Sequence, residues 1–134
     1  MRQLSLYAVG LLAAAACGEP DFRRAPCSTD YCAVASTLEF QGWDQHQLGN
    51  IQYDLGLMGF TAAKKQSARV LFEVQGKELA ASEPPSSSRS FVPTGECSDL
   101  LQGDQLMVTE VQVSGKAGAH TADYCLIPGL PPLP

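Results

Sequence analysis

The chain has 134 residues, with nine Lys and Arg against fourteen Asp and Glu, a formal charge of −5 at pH 7. That length holds one domain with a modest core. The acidic balance excludes nucleic acid as a partner, because phosphate backbones need clustered Lys and Arg, and it argues against charge-driven binding to anionic lipid. The two basic doublets, Arg23-Arg24 and Lys64-Lys65, read as solvated patches.

In chain order, the first element is an apolar run. Residues 4–16 follow Arg2, are broken by Ser5 and Gly10, and end in four alanines, Ala13 to Ala16. A positive start, a short apolar stretch and small residues before a cut are the layout of an export signal. These 13 positions fall short of the roughly 18 to 20 residues that a membrane-spanning helix needs. Residues 1–16 are therefore expected to be a signal peptide that is removed. Its loss leaves eight basic against fourteen acidic residues, a charge of −6.

Two cuts stay open. A general signal peptidase would cut after Ala14-Ala15-Ala16. Alternatively, Ala14-Ala15-Ala16-Cys17, followed by Gly18, resembles the lipobox of bacterial lipoproteins, with Ala14 standing where that pattern prefers Leu. The resemblance implies that Cys17 carries acyl chains such as palmitate, becomes residue one and ties the protein to a membrane. Gly rather than Asp after the cysteine implies the outer membrane ahead of the inner. The first cut would instead leave a soluble secreted or periplasmic protein.

Five cysteines stand at 17, 27, 32, 97 and 125. An odd number in an exported chain leaves one thiol unexplained. Lipid on Cys17 accounts for it, and the other four can pair fully in an oxidising compartment. Four cysteines allow three connectivities. The short spacing in CSTDYC favours Cys27 with Cys32, leaving Cys97 to staple Cys125.

Residues 17–35 contain Pro20 and Pro26 and show no periodicity, so they read as a lipid-anchored tether. From there to residue 127 the pattern has period two. Ile51, Tyr53, Leu55 and Leu57 alternate with Gln52, Asp54, Gly56 and Met58, and Val70, Phe72 and Val74 alternate with Arg69, Leu71, Glu73 and Gln75. Such alternation places one face of a strand in the core. STLEFQGW, SSRSFVPTGEC with Pro93 at an edge, DQLMVTEVQVSG and TADYCLIPG supply further strands. The apolar parity shifts from Leu106 and Val108 to Val111 and Val113, which predicts a bulge or a strand buried on both sides. Turn residues fall at Gly49-Asn50, Gly76-Lys77, Ser114-Gly115 and near Gly118. EPPSSSR, residues 83–89, reads as a polar loop. Helix formers at 61–69 and 77–82 are too short to stand as helices. Six or seven strands with short loops predict an all-β domain over residues 36–127. The expected form is a small antiparallel β-sandwich of immunoglobulin-like architecture, with a small β-barrel as the alternative. Residues 128–134, PGLPPLP, read as a Pro-rich tail.

No catalytic constellation is legible. There is no G-x-S-x-G elbow, no H-E-x-x-H and no C-x-x-C pair, and Asp99 and Asp104 are too loosely spaced for a calcium loop. His46, close behind Asp44, and His120 read as surface-loop histidines. Neither a metal nor a cofactor is expected. Among the aromatics Tyr53, Phe60, Trp43 and Phe91, three are expected to fill the core. Trp43, set among Gly42 and polar residues, is the candidate ligand-binding residue. The expected function is therefore that of a membrane-tethered, non-enzymatic envelope module binding a protein or a glycan. The alternatives are a small secreted hydrolase or hydrolase inhibitor, and a structural assembly factor of an envelope complex.

Overall fold

The computed structural model describes residues 22–61, 68–80, 82, 84–112 and 120–131. The signal segment, Cys17, Lys64-Lys65 and the turns expected at Ser114-Gly115 and Gly118 lie outside the described residues. The strands are β1 (Val34–Glu39), β2 (Trp43–Leu48), β3 (Ile51–Phe60), β4 (Arg69–Glu78), β5 (Ser86–Pro93), β6 (Cys97–Asp99), β7 (Gln105–Gln112) and β8 (Thr121–Ile127). Single 3-10 turns lie at Thr29–Tyr31 and Leu101–Gly103.

Two antiparallel four-stranded sheets result. Sheet I has the order β1-β8-β7-β6 and sheet II the order β2-β3-β4-β5. Strands pair with their sequence neighbours except where the chain crosses between sheets, at β1/β2 and β5/β6, and β8 returns to lie beside β1. This is the cyclic order of an up-and-down meander opened along two seams. The molecule is the expected small β-sandwich and not a closed barrel. Its architecture is two packed sheets, as in immunoglobulin domains, but its connections run consecutively rather than in their Greek-key order.

The period-two pattern explains the core. Ile51, Tyr53, Leu55 and Leu57 of β3 and Val70, Phe72 and Val74 of β4 point inward and are buried. They meet Leu38 of β1, Val92 of β5, Leu106, Val108 and Val111 of β7, and Ala122, Tyr124 and Leu126 of β8. Phe72 and Tyr124 touch edge to face across the sandwich, centroids 6.0 Å apart. The parity shift in β7 is a bulge, with the register against β8 slipping between Val108 and Glu110. A second slip lies between Leu57 and Gly59.

Several expectations are corrected. The loop expected over residues 83–89 gives way to strand from Ser86, because Ser86, Ser87 and Ser88 complete a ladder with Gly76, Gln75 and Val74. At a sheet edge such side chains need no core partner. Gly76-Lys77 is inside β4 rather than a turn. A Cβ at Gly76 would come within 2.8 Å of the Leu101 side chain and 3.1 Å of the Tyr53 ring, so the missing side chain makes room for both. WDQHQL is strand β2, which places His46 on a strand rather than in a loop. Phe91 is exposed on the outer face of β5 and not in the core, whereas Tyr53 is buried and Phe60 packs against the core.

The packed part of the chain begins before residue 36. Residues 22–33 lie across the outer face of sheet I. Arg23 and Leu130 exchange backbone hydrogen bonds of 3.3 and 2.7 Å, and Gln105 Nε2 donates to Ala25 O at 2.7 Å. Ala25, Cys125 and Ile127 form a second small core, joined by Cys32, Cys97, Met107 and Leu130. The Pro-rich tail is docked over residues 128–131: Gly129 N–H donates to Asp104 Oδ1, and Arg23 Nε to Pro131 O.

The disulfides are Cys27–Cys97 and Cys32–Cys125, not the near-neighbour pairing expected. The register gives the reason. Cys97 pairs opposite Met107, and Met107 opposite Cys125, so β7 lies between the two sheet cysteines. Two strand spacings place them about 9 to 10 Å apart, beyond disulfide reach. The 3-10 turn at Thr29–Tyr31 separates Cys27 from Cys32, so one sulfur falls over β6 and the other over β8.

Candidate functional site

The outer face of sheet II carries an exposed aromatic side chain with polar neighbours. Trp43 begins β2 and points outward, 47% exposed. Cross-strand register sets Trp43 opposite Gly56, Gly56 opposite Glu73 and Glu73 opposite Arg89. The next outward row is Gln45, Asp54, Gln75 and Ser87. Gly56 is what lets the indole lie down: a Cβ there would fall 2.6 Å from Trp43 Cε2 and 2.7 Å from Cζ2. Beside the ring is a shallow cavity of about 360 Å³, lined by Trp43, Asp44, Gln45, Asp54 and Gln75. Gln45 Nε2 donates to Asp54 Oδ1 at 3.0 Å, which fixes the amide and leaves the second carboxylate oxygen for other donors. Arg89 and Glu73 form an ion pair at 2.8 Å along the same face.

A second polar group fills the β1/β2 seam. Asp44 and His46 alternate with the outward Trp43 and Gln45, so they turn inward. Tyr124 Oη donates to Asp44 Oδ2 at 2.6 Å, and Ser36 Oγ reaches the same oxygen at 3.4 Å. His46 Nε2 lies 2.7 Å from Tyr124 Oη and 3.9 Å from Asp44 Oδ2. With the phenol proton committed to Asp44, the imidazole donates to the phenol oxygen. Burial pushes the Tyr124 phenol well above its ordinary value, and the bond to Asp44 and its charge push it further; Ser36 opposes them. The group is a proton-ordered chain from His46 through Tyr124 to Asp44. Its serine bonds to the carboxylate, whereas an activated nucleophile must face its base.

A third group closes one end of the sandwich. Tyr53 Oη donates to Asp104 Oδ2 at 2.8 Å and accepts from Leu101 N–H at 3.1 Å. Burial raises the Asp104 carboxyl above the ordinary carboxylate range, while the Gly129 N–H and the Tyr53 hydroxyl pull it back. The Tyr53 phenol is raised by burial, then by its bond to Asp104 and that residue's charge. His120 stands just before β8, its carbonyl accepting from Phe40 N–H and its ring 5.1 Å from that of Phe60. Among the described residues, no three of His, Cys, Asp and Glu gather in a way that would hold a metal.

No family model, curated protein or solved structure matches this chain. The site's reading therefore stands on its chemistry. Of the residues singled out from sequence, Trp43 lies at the outer-face cavity and the four paired cysteines hold the N-terminal segment. Gln45, Asp54 and Gln75 were not anticipated. Their outward parity is visible in the alternation, but the register that sets them in one row beside Trp43 is not.

Proposed function

We propose that this protein is a non-enzymatic, lipid-anchored module of the bacterial envelope that binds a glycan on the outer face of sheet II. The observation that carries the reading is the exposed Trp43 indole lying over Gly56 beside Gln45, Asp54 and Gln75. A pyranose ring has an apolar C–H face and a rim of hydroxyls that both donate and accept. The indole offers a rigid apolar floor at little entropic cost. The glutamine amides both donate and accept, and the Asp54 carboxylate accepts. The cavity lies at the lower end of small-ligand sites, which run from about 300 to 1,000 Å³. The acidic chain and Asp54 disfavour an anionic ligand, so the sugar is neutral. Acyl chains on Cys17, at roughly 0.8 kcal/mol per buried methylene, would hold the module at the membrane, with the outer membrane favoured by Gly18.

Trp43 is the sole tryptophan, so its emission reports on the site directly. Titration with neutral oligosaccharides and with purified cell-wall glycan is expected to shift that emission saturably. Trp43→Ala should weaken binding by more than about tenfold, as loss of an aromatic anchor does, with the melting temperature unchanged. Gly56→Val should do the same by lifting the indole. If emission ignores every glycan while an envelope protein is recovered equally by wild type and Trp43→Ala, the glycan reading fails and a protein partner elsewhere replaces it. Cleavage of the bound sugar would make the protein a hydrolase. Intact mass of the membrane-fraction protein tests acylation of Cys17 separately.

A further inference from the structure

We infer that the end of the sandwich formed by Phe22, the β2–β3 turn and Leu79 is the surface that rests on the lipid bilayer. This inference rests on the lipidation of Cys17 proposed above. Five residue steps separate Cys17 from Phe22, a span of at most about 18 Å fully extended. Beyond Phe22 the chain is already fastened by the Arg23–Leu130 bridge, buried Ala25 and two disulfides. The leash is therefore short, and the part of the domain where Phe22 sits must lie close to the membrane.

That part has a defined place and chemistry. Phe22 lines a small hollow with Leu48, Gly49, Asn50, Gln102 and Pro128. Leu79 N–H donates to Asn50 O at 2.8 Å, which brings the turn after β4 to the same end. Phe22 is 38% and Leu79 46% exposed, two large apolar side chains beside one turn. Arg23 and Lys77 are exposed here, and Glu78 is engaged by the Asn50 amide at 3.3 Å. Two apolar side chains alone would not bind a bilayer. They have only to orient a domain whose affinity comes from its acyl chains.

The orientation has a consequence for the glycan site. Strand β2 runs from Leu48, at this end, to Trp43, five steps of about 3.4 Å or about 17 Å away. The strands then stand on end, and the Trp43 face forms a wall clear of the lipid headgroups.

The test uses the chain from residue 17, in which Cys17 is the one thiol outside a disulfide. Coupled to a maleimide lipid in phosphatidylethanolamine–phosphatidylglycerol vesicles, it reproduces the leash whatever the native acylation. Tryptophan is moved to the seat as Phe22→Trp or Leu79→Trp in a Trp43→Phe background, with melting curves confirming the fold. Lipids brominated near the headgroup should remove most of the emission from either relocated tryptophan and leave wild-type Trp43 unquenched. Unquenched emission from both relocated tryptophans, or equal quenching of Trp43, overturns the orientation. Failure of the anchor itself would appear in the intact mass and not in this measurement.

Discussion

Asp104 shows how much a single residue's surroundings can add to what its type implies. Its carboxyl is buried, with Tyr53 on one oxygen and the Gly129 N–H on the other. Burial raises its pKa from the ordinary value of 3.8. In the folded state it therefore holds a proton over a window in which the unfolded chain has lost it. By linkage its contribution to stability is full below 3.8 and is lost as pH rises through the raised value. Asp104→Asn cannot titrate. The denaturation midpoint of the wild type is expected to fall relative to that variant as pH climbs from about 4 toward neutrality. A difference that stays constant over that range would refute this account. Little of it was legible in advance: Tyr53 showed its inward parity, but its partner lies 51 residues away. His46 is similar. Asp44 was visible two positions before it, whereas Tyr124, which joins the two, comes from another sheet.

At the scale of elements, the N-terminal segment is the clearest case of a short piece that does not hold itself. Residues 22–33 have one 3-10 turn and few apolar groups. They stay on sheet I through two disulfides that close sequence separations of 70 and 93 residues. Loops of that length lower the entropy of the unfolded chain enough to stabilise the fold by roughly 4 kcal/mol per bridge. Replacing Cys32 and Cys125 together by serine should cost about that much in denaturant titrations, and should free the segment to proteases. A loss below about 1 kcal/mol would show that packing of Ala25 and Ile127 suffices without the bridge. Strand β5 makes the opposite point. The strand expected from SSRSFVPTGEC is present and buries Val92, but Ser86 to Ser88 carry no apolar signal and lengthen it by pairing with β4. The strands with strong alternation, β3 and β4, were readable because burial on one face leaves its period in the chain.

Over the whole molecule, the two seams decide where the sandwich is weak. Sheet I ends at β1 and β6 and sheet II at β2 and β5, so edge lies beside edge at both crossings. Amide exchange is expected to be slowest in the inner strands β3, β4, β7 and β8, and faster in the four edge strands. Equal protection of β2 and β3 would mean that the seam is as firm as the sheets. The chain by itself determined the class of fold, because alternation is a local property that each strand carries within its own residues. It also offered the candidate tryptophan. Which cysteines meet, whether a polar stretch finds a ladder, and which outward side chains surround Trp43 were decided only in three dimensions. The cysteine pairing depends on strands far apart in sequence, and the rows around Trp43 and Ser86 depend on turn lengths and bulges that set register, which alternation alone does not carry.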